Sequence, residues 1–223
     1  MLVATEMRTP TVRRLRFGGH GLADLPYFPG QDLMVELPGL TRVRRRYTIR
    51  HLDPKTATVD LDVQLHGHGP GSAWAAGARE GDRVEAFGPR GKIGLATGAD
   101  WHLFCGDGSA VPAVLTMVEA LPAGAAAIAV LQVTGEDEQQ EPGPVAAALD
   151  LRWAHRSLEL PAALPRGRGH AYLFGELSEV AAWRRAVLGL GLAPDQVDHK
   201  AYWRRGVANA PHGEPQRTAP TPP

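Results

Sequence analysis

The sequence predicts a two-domain β + α/β protein, an antiparallel β-barrel followed by a doubly wound parallel-sheet domain. Three observations predict it. Up to about residue 87, short apolar runs are separated by Gly, Pro and Asp turns, the pattern of a small antiparallel barrel. Beyond the glycine- and proline-rich stretch Gly88–Gly98, apolar runs alternate with helical segments, as in parallel α/β sheets. Within that second half Ala126–Val133 is a nearly unbroken apolar run, as expected of a strand buried on both faces. The expected division is residues 1–96, residues 97–207 and a proline-rich, disordered tail, 208–223.

Taken in order, the expected barrel strands are Val12–Phe17, Leu33–Leu37, Tyr47–His51, Thr58–His66 and Arg83–Phe87. Gly18-Gly19, Pro29-Gly30, Asp53-Pro54 and Gly81-Asp82 turn the chain between them. In the fourth run Val59, Leu61, Val63 and Leu65 should face the core, with Asp60, Asp62 and Gln64 facing out. A short helix follows, for which Ser72 is placed as a cap. The second half reads as strand His102–Cys105, helix Val111–Ala120 with Pro112 in its first turn, and strand Ala126–Val133. A short helix near Val145–Leu149 and strands Leu151–Ala154 and Ala171–Phe174 come next. Ser178 can cap a helix to Leu188 that Gly189 or Gly191 ends, before a last strand Val197–Trp203.

Composition excludes several classes. Lys plus Arg and Asp plus Glu are both 24, so net charge exerts no pull toward nucleic acid or a membrane surface. No apolar run reaches the ~20 residues of a membrane span, and residues 1–16 lack a secretory apolar core. The single cysteine, Cys105, precludes an internal disulfide and reads as a small buried hydrophobe. A cytoplasmic protein without membrane insertion is expected, a monomer or at most a weak dimer.

The chemistry concentrates at two places. Leu65, His66, Gly67, His68, Gly69, Pro70, Gly71, Ser72, Ala73 and Trp74 form a glycine-rich loop that enters a helix, where unpaired backbone N–H groups point one way and hold anions. Upstream, Arg45, Arg46, Tyr47 and Thr48 put basic residues, an aromatic and a hydroxyl on a strand. Phosphate plus a flat ring points to a flavin or nucleotide. Trp74 could pack in the core or touch that ligand. His66 and His68 make only half a metal site, so no metal is expected. At the second place, Gly106, Asp107, Gly108, Ser109 and Ala110 follow a strand and precede a helix, half of a G-x-G-x-x-G fingerprint with Val111 in place of the third glycine. Gly175 and Glu176 end another strand nearby. Arg184 and Arg185 could hold a nucleotide 2′-phosphate or could be solvated helix residues. No Ser-His-Asp set or paired catalytic carboxylates are evident, so a cofactor would carry any chemistry.

The barrel-then-α/β layout resembles the ferredoxin-reductase-like flavoenzymes. Within them the chain is similar to the siderophore-interacting proteins, FAD-dependent ferric-siderophore reductases. The matching segments are Thr9-Pro10, Gly19, Arg45 to Arg50, His66 to Pro70, Trp74-Ala75, Gly81-Asp82 and Gly88-Pro89-Arg90-Gly91. They continue with Gly106-Asp107, Ala110, Pro112-Ala113, Gly175-Glu176, Arg184 and Tyr202-Trp203-Arg204-Arg205-Gly206. The resemblance implies FAD on the barrel, with Arg45 on its pyrophosphate and Tyr47 and Thr48 along the flavin. It implies NADPH or NADH docked on the second domain, and a ferric siderophore met by Arg50, Tyr202, Trp203, Arg204 and Arg205. Arg42 and Arg44 extend that basic rim. Gly108 stands where relatives carry an acidic residue, Ala181 replaces a common basic one, and Gly21–Leu40 is short. The first two departures lie in the nicotinamide-nucleotide half and the third at the rim over the flavin; a reduced ferredoxin is the other open donor. A general flavin or quinone reductase and a non-catalytic flavin-binding module are the competing readings.

Overall fold

The computed structural model describes residues 1–39, 43–66 and 69–207. Arg42, Gly67, His68 and the 208–223 tail, all assigned expectations above, lie outside those residues.

Six strands build the first sheet: β1 (Leu2–Met7), β2 (Val12–Gly18), β3 (Asp32–Glu36), β4 (Arg44–Asp53), β5 (Thr58–Gln64) and β6 (Glu85–Arg90). Their order is β1-β2-β5-β4-β3-β6, antiparallel throughout. The segment before β6 meets β1 through Leu2 N–H to Asp82 O at 2.7 Å and Gly81 N–H to Leu2 O at 2.8 Å, which curls the sheet toward closure. β1 was not expected, because one buried residue, Leu2, gives it no alternating signature, and pairing to β2 makes it a strand. Leu15, Phe17, Val35, Ile49, Val59, Leu61 and Val63 fill the interior.

The expectation for β5 needs one correction. Val59, Leu61 and Val63 do face the core, but Asp60 and Asp62 are buried too, at 2% and 6% exposure. Each lies directly opposite an arginine of β2 and takes a bidentate fork, Arg16 on Asp60 and Arg14 on Asp62, all at 2.7–2.8 Å. The arginine stems cover the outer face of a central strand, which alternation alone does not reveal.

The second sheet has five parallel strands in the order β11-β10-β7-β8-β9: β7 (Trp101–Asp107), β8 (Ala126–Gln132), β9 (Ala148–Ala154), β10 (Gly169–Glu176) and β11 (Val197–Trp203). Of the three α-helices among the described residues, two pack on opposite faces of this sheet. α2 (Val111–Glu119) is apolar nearly all round and buries Val111, Val114, Leu115 and Val118 against Phe104, Tyr172 and Phe174. α3 (Leu177–Gly189) sets Val180, Trp183 and Val187 on the other face, against Leu103, Cys105 and Leu173. The third helix, α1 (Pro70–Gly77), belongs to the barrel side. The expected helix over Val145–Leu149 is absent. Residues 145–147 form no regular element, and β9 starts at Ala148 because it pairs with Ala126 of β8. The sheet runs outward from β7 through β8 to β9, then resumes on the other side with β10 and β11. The topological switch point, where ligands of such sheets bind, is therefore the carboxyl edge between β7 and β10.

Candidate functional site

The two sides of β4 have different fates. Arg45 and Tyr47 face α1, and a Cβ on Gly71 would sit 2.5 Å from the Tyr47 hydroxyl oxygen and 3.3 Å from Arg45 Cγ. Only glycine lets the helix entry approach this closely. Tyr47 tilts on Trp74 at 5.7 Å between ring centroids, and Trp74 stacks on Phe17 at 6.4 Å, so Trp74 belongs to the core face. Burial raises the Tyr47 phenol far above its usual range, with Arg45 opposing, so it stays neutral. The expected Ser72 cap is not formed. Gly69 is the N-cap, Pro70 opens the helix, and Ser72 lies buried in the first turn. Leu65 N–H is bound by Thr11 O at 2.6 Å and His66 is exposed beside Gly69.

On the other face Arg46 makes a bidentate pair with Asp32 at 2.7 and 2.8 Å, and Arg50 makes one with Glu119 of α2 at 2.6 and 2.7 Å. Arg44 pairs with Glu36 at 2.8 Å and lies over the Phe87 ring. Arg45 differs from all three. Among the described residues it makes no ion pair, and its guanidinium reaches only the Arg44 carbonyl, at 2.8 Å. The expected open basic rim is therefore not formed by Arg44 or Arg50, whose charges are engaged within the protein.

At the switch point the residues expected to meet a nucleotide bind one another. Asp107 Oδ1 accepts from Ser109 N–H (2.9 Å) and Ser109 Oγ (2.5 Å), while Oδ2 accepts from Glu176 N–H and Trp203 Nε1, both at 2.8 Å. Gly175, at φ +136°, must be glycine because a Cβ would lie 2.5 Å from Asp107 Oδ2. Glu176, not Ser178, caps α3: its Oε2 accepts from Ser178 N–H, Ser178 Oγ and Glu179 N–H, and its Oε1 from Arg205 N–H at 3.1 Å. Burial raises the Glu176 carboxyl, but these hydrogen bonds outweigh it and hold its pKa at about 2. Gly106 leaves room for Ala110 Cβ, and Ala110 precedes α2 without a side-chain cap. Gly108 abuts the Gln64 side chain of β5, so an acidic residue there would press on the other sheet.

Arg184 lies about two turns down α3, away from this edge, and lowers the pKa of His199 after burial does. Its Nε is buried without a partner among the described residues. Cys105 is fully buried and its thiol is raised by that burial, so it is chemically quiet. Trp203 is 40% exposed at the edge, with Arg204 and Arg205 beyond it.

Between the sheets opens a cleft of about 290 Å³ lined by Arg46, Arg90, Lys92, Lys200, Phe174 and Tyr202, among others, with no carboxylate in the lining. Lys200 Nζ reaches Asp32 Oδ2 at 3.2 Å. Asp32, Arg90, Lys92 and Lys200 were not singled out from the sequence as site residues, because only the juxtaposition of the two sheets brings them together.

This geometry has close counterparts. The model of the siderophore-interacting FAD-binding domain matches residues 31–93, and that of the siderophore-interacting protein matches residues 99–206. The ferric vibriobactin reductase ViuB of Vibrio cholerae is 30% identical over 203 residues, 83% of this chain and 73% of the relative. The chain belongs to the siderophore-interacting protein family. An uncharacterised Mycobacterium tuberculosis protein is 39% identical over 128 residues, 56% of this chain, and the match spans 44% of that relative's length. The crystal structure of a siderophore utilization protein from T. fusca superposes with a TM-score of 0.82 at 28% identity, covering 95% of this chain and 94% of that one. Among the described residues of this family member, no helix is long and apolar enough to cross a membrane.

Proposed function

We propose that the chain is an FAD-dependent oxidoreductase that takes electrons from NADPH or NADH and passes them to the iron(III) of a ferric siderophore, freeing Fe(II) for assimilation. One observation carries the FAD assignment. Of the described arginines on β4, Arg44, Arg46 and Arg50 are satisfied by carboxylates, whereas Arg45 has no ion pair among the described residues and lies at the glycine-lined entry to α1. A charged, bidentate donor beside a helix start fits a pyrophosphate. Tyr47, neutral and braced by Trp74, offers a flat face for a ring, and Thr48, two residues from Arg46 on the opposite face of β4, offers a hydroxyl. Bound there, FAD supplies hydride acceptance and single-electron release, and the protein supplies position and a charged approach. NADPH or NADH would dock at the carboxyl edge of β7 and β10, with Ser109 and Ala110 at the start of α2.

A second donor is favoured by one feature of that edge. Asp107 and Glu176 place two carboxylates at the switch point, where a dinucleotide would bring its pyrophosphate. A reduced ferredoxin needs no such site, since its electrons can enter at the exposed Trp203 side.

Anaerobic absorbance of the FAD-loaded protein decides between these. Bleaching by NADPH or NADH, followed by recovery of colour and Fe(II) release on adding a ferric siderophore, supports the full reading. Bleaching by a reduced ferredoxin alone supports the second donor. A protein that takes up no FAD removes both.

A further inference from the structure

We propose that Glu138 is a positioning residue for flavin reduction: it clasps the turn before β2 and so holds the donor's edge of the second sheet in register with the loop at the FAD pyrophosphate. The proposal rests on the nicotinamide-donor reading above and adds a residue to it. Glu138 ends a one-turn 3-10 helix, Glu136–Glu138, in the crossover that leaves β8. It is 6% exposed, and Thr9 is 7% exposed. Its Oε2 accepts from Thr9 Oγ1 at 2.6 Å and from Thr11 Oγ1 at 2.7 Å, across 129 and 127 residues of chain. Burying a carboxyl group this deeply is costly unless it is hydrogen-bonded, and both of these bonds join the second sheet's crossover to the first sheet. Thr9 is itself fixed, because its Oγ1 accepts from Val12 N–H at 2.9 Å and from Thr11 N–H at 3.3 Å. Thr9-Pro10 belongs to the family resemblance, yet the cofactor sites leave it without a role.

Thr11 carries two connections at once. Its hydroxyl reaches Glu138, and its carbonyl oxygen accepts Leu65 N–H at 2.6 Å, where β5 runs into the glycine-rich loop. The crossover on the other side starts from the carboxyl edge: Gln132 of β8 is the register partner of Asp107 on β7, and Val133 N–H is bound by Ala154 O at 2.9 Å. Ser109 and Ala110, where the donor docks, follow Gly108, which abuts Gln64 at the end of β5. The crossover is held again further on, where Gly143 N–H reaches Glu119 Oε1 at 2.6 Å and Glu119 pairs with Arg50 of β4. One tie leaves two sheets free to swivel about it, and a second removes that freedom. The reaction needs the restraint. A hydride, two electrons with one proton, passes to the flavin and leaves the nicotinamide as its oxidised cation. Reacting atoms must lie roughly 3–3.5 Å apart for such a step, and a misplacement of about 1 Å can cost on the order of 10²-fold in rate.

Three variants separate positioning from mere structure. Glu138→Ala removes the clasp, Thr11→Val removes one hydroxyl but keeps the carbonyl bond to Leu65, and Glu138→Gln keeps an oxygen that can accept both hydroxyls. Stopped-flow absorbance of the FAD-loaded proteins at saturating NADH or NADPH should show flavin reduction slowed about tenfold or more in Glu138→Ala and Thr11→Val, and within about threefold of wild type in Glu138→Gln. Reoxidation of the dithionite-reduced proteins by iron(III) dicitrate, which does not use the donor's edge, should change by less than about twofold in all three. A general loosening of the fold would slow both half-reactions. Hydrogen exchange of the FAD-loaded proteins gives a readout apart from activity: residues 135–139 should exchange about tenfold faster in Glu138→Ala, with β7 and β10 unchanged. Reduction of Glu138→Ala at the wild-type rate overturns the proposal, as does an equal loss in both half-reactions. Unchanged exchange at residues 135–139 also overturns it, since the clasp then holds nothing. Should neither nucleotide reduce the wild-type protein, the nicotinamide-donor reading falls first and the positioning role falls with it.

Discussion

Asp107 Oδ2 holds the indole N–H of Trp203 at 2.8 Å while receiving the Glu176 backbone N–H at the same distance. One carboxylate on β7 thus ties together the carboxyl ends of β10 and β11. Asp107→Ala should destabilise the protein by about 2–4 kcal/mol, because it orphans donors of a charged hydrogen-bond set. Urea unfolding measures this, and Trp203 fluorescence should shift to the red as the indole loses its anchor. An unfolding midpoint equal to wild type would show that the edge is held by other means.

Glu176 gives the protein an acid sensitivity with a definite sign. Its folded pKa, about 2, lies below the ordinary carboxylate value of 4.5, so the stability it contributes is present above pH 4.5 and is lost as pH falls toward 2. Glu176→Gln should be less stable than wild type at pH 7, and the two should converge as pH approaches 2. Chemical unfolding at a series of pH values reads the convergence. Parallel curves over that window would show that Glu176 does not titrate as argued.

Gly71 is fixed by closeness rather than by turn geometry. Gly71→Ala puts a methyl 2.5 Å from the Tyr47 hydroxyl oxygen, at the end of a ring that cannot bend away. The expected outcome is a loss of about 1–3 kcal/mol and weaker FAD retention, since α1 and β4 must move apart at the proposed pyrophosphate site. Thermal melting and flavin titration test the two effects separately.

The sheets are coupled through Arg50 and Glu119, whose side chains are 10% and 20% exposed. Glu119→Ala leaves a largely buried guanidinium unpaired and should cost about 2–4 kcal/mol. Replacing both, Arg50→Met with Glu119→Leu, should recover much of that loss. A double variant no better than the single one would place the deficit in the lost Glu119 bond to Gly143 N–H, at 2.6 Å.

Much of the architecture was legible because the local code and the fold agree. Val59, Leu61 and Val63 alternate, Ala126 to Gln132 is apolar on both faces, and Val197–Trp203 was bounded as it occurs. The failures share one cause. β1 is a strand through its pairing to β2, and Ala148 and Leu149 are strand through their pairing to β8, although Val145–Leu149 taken alone suits a helix. Asp60 and Asp62 obey the alternation yet are buried, because Arg14 and Arg16 reach across from the neighbouring strand.

The sequence by itself determined the two-part β and α/β order and the family, since these follow from local periodicity, turn residues and short motifs. Tertiary structure alone decided which charges are spent and which are available. Composition alone does not separate Arg45, Arg46 and Arg50, but strand alternation and the approach of the second sheet give Asp32 to Arg46 and Glu119 to Arg50, while Arg45 makes no ion pair among the described residues. The same approach brings Lys200 within 3.2 Å of Asp32 across 168 residues, a pairing that no local rule encodes because its partners meet only when the two sheets pack.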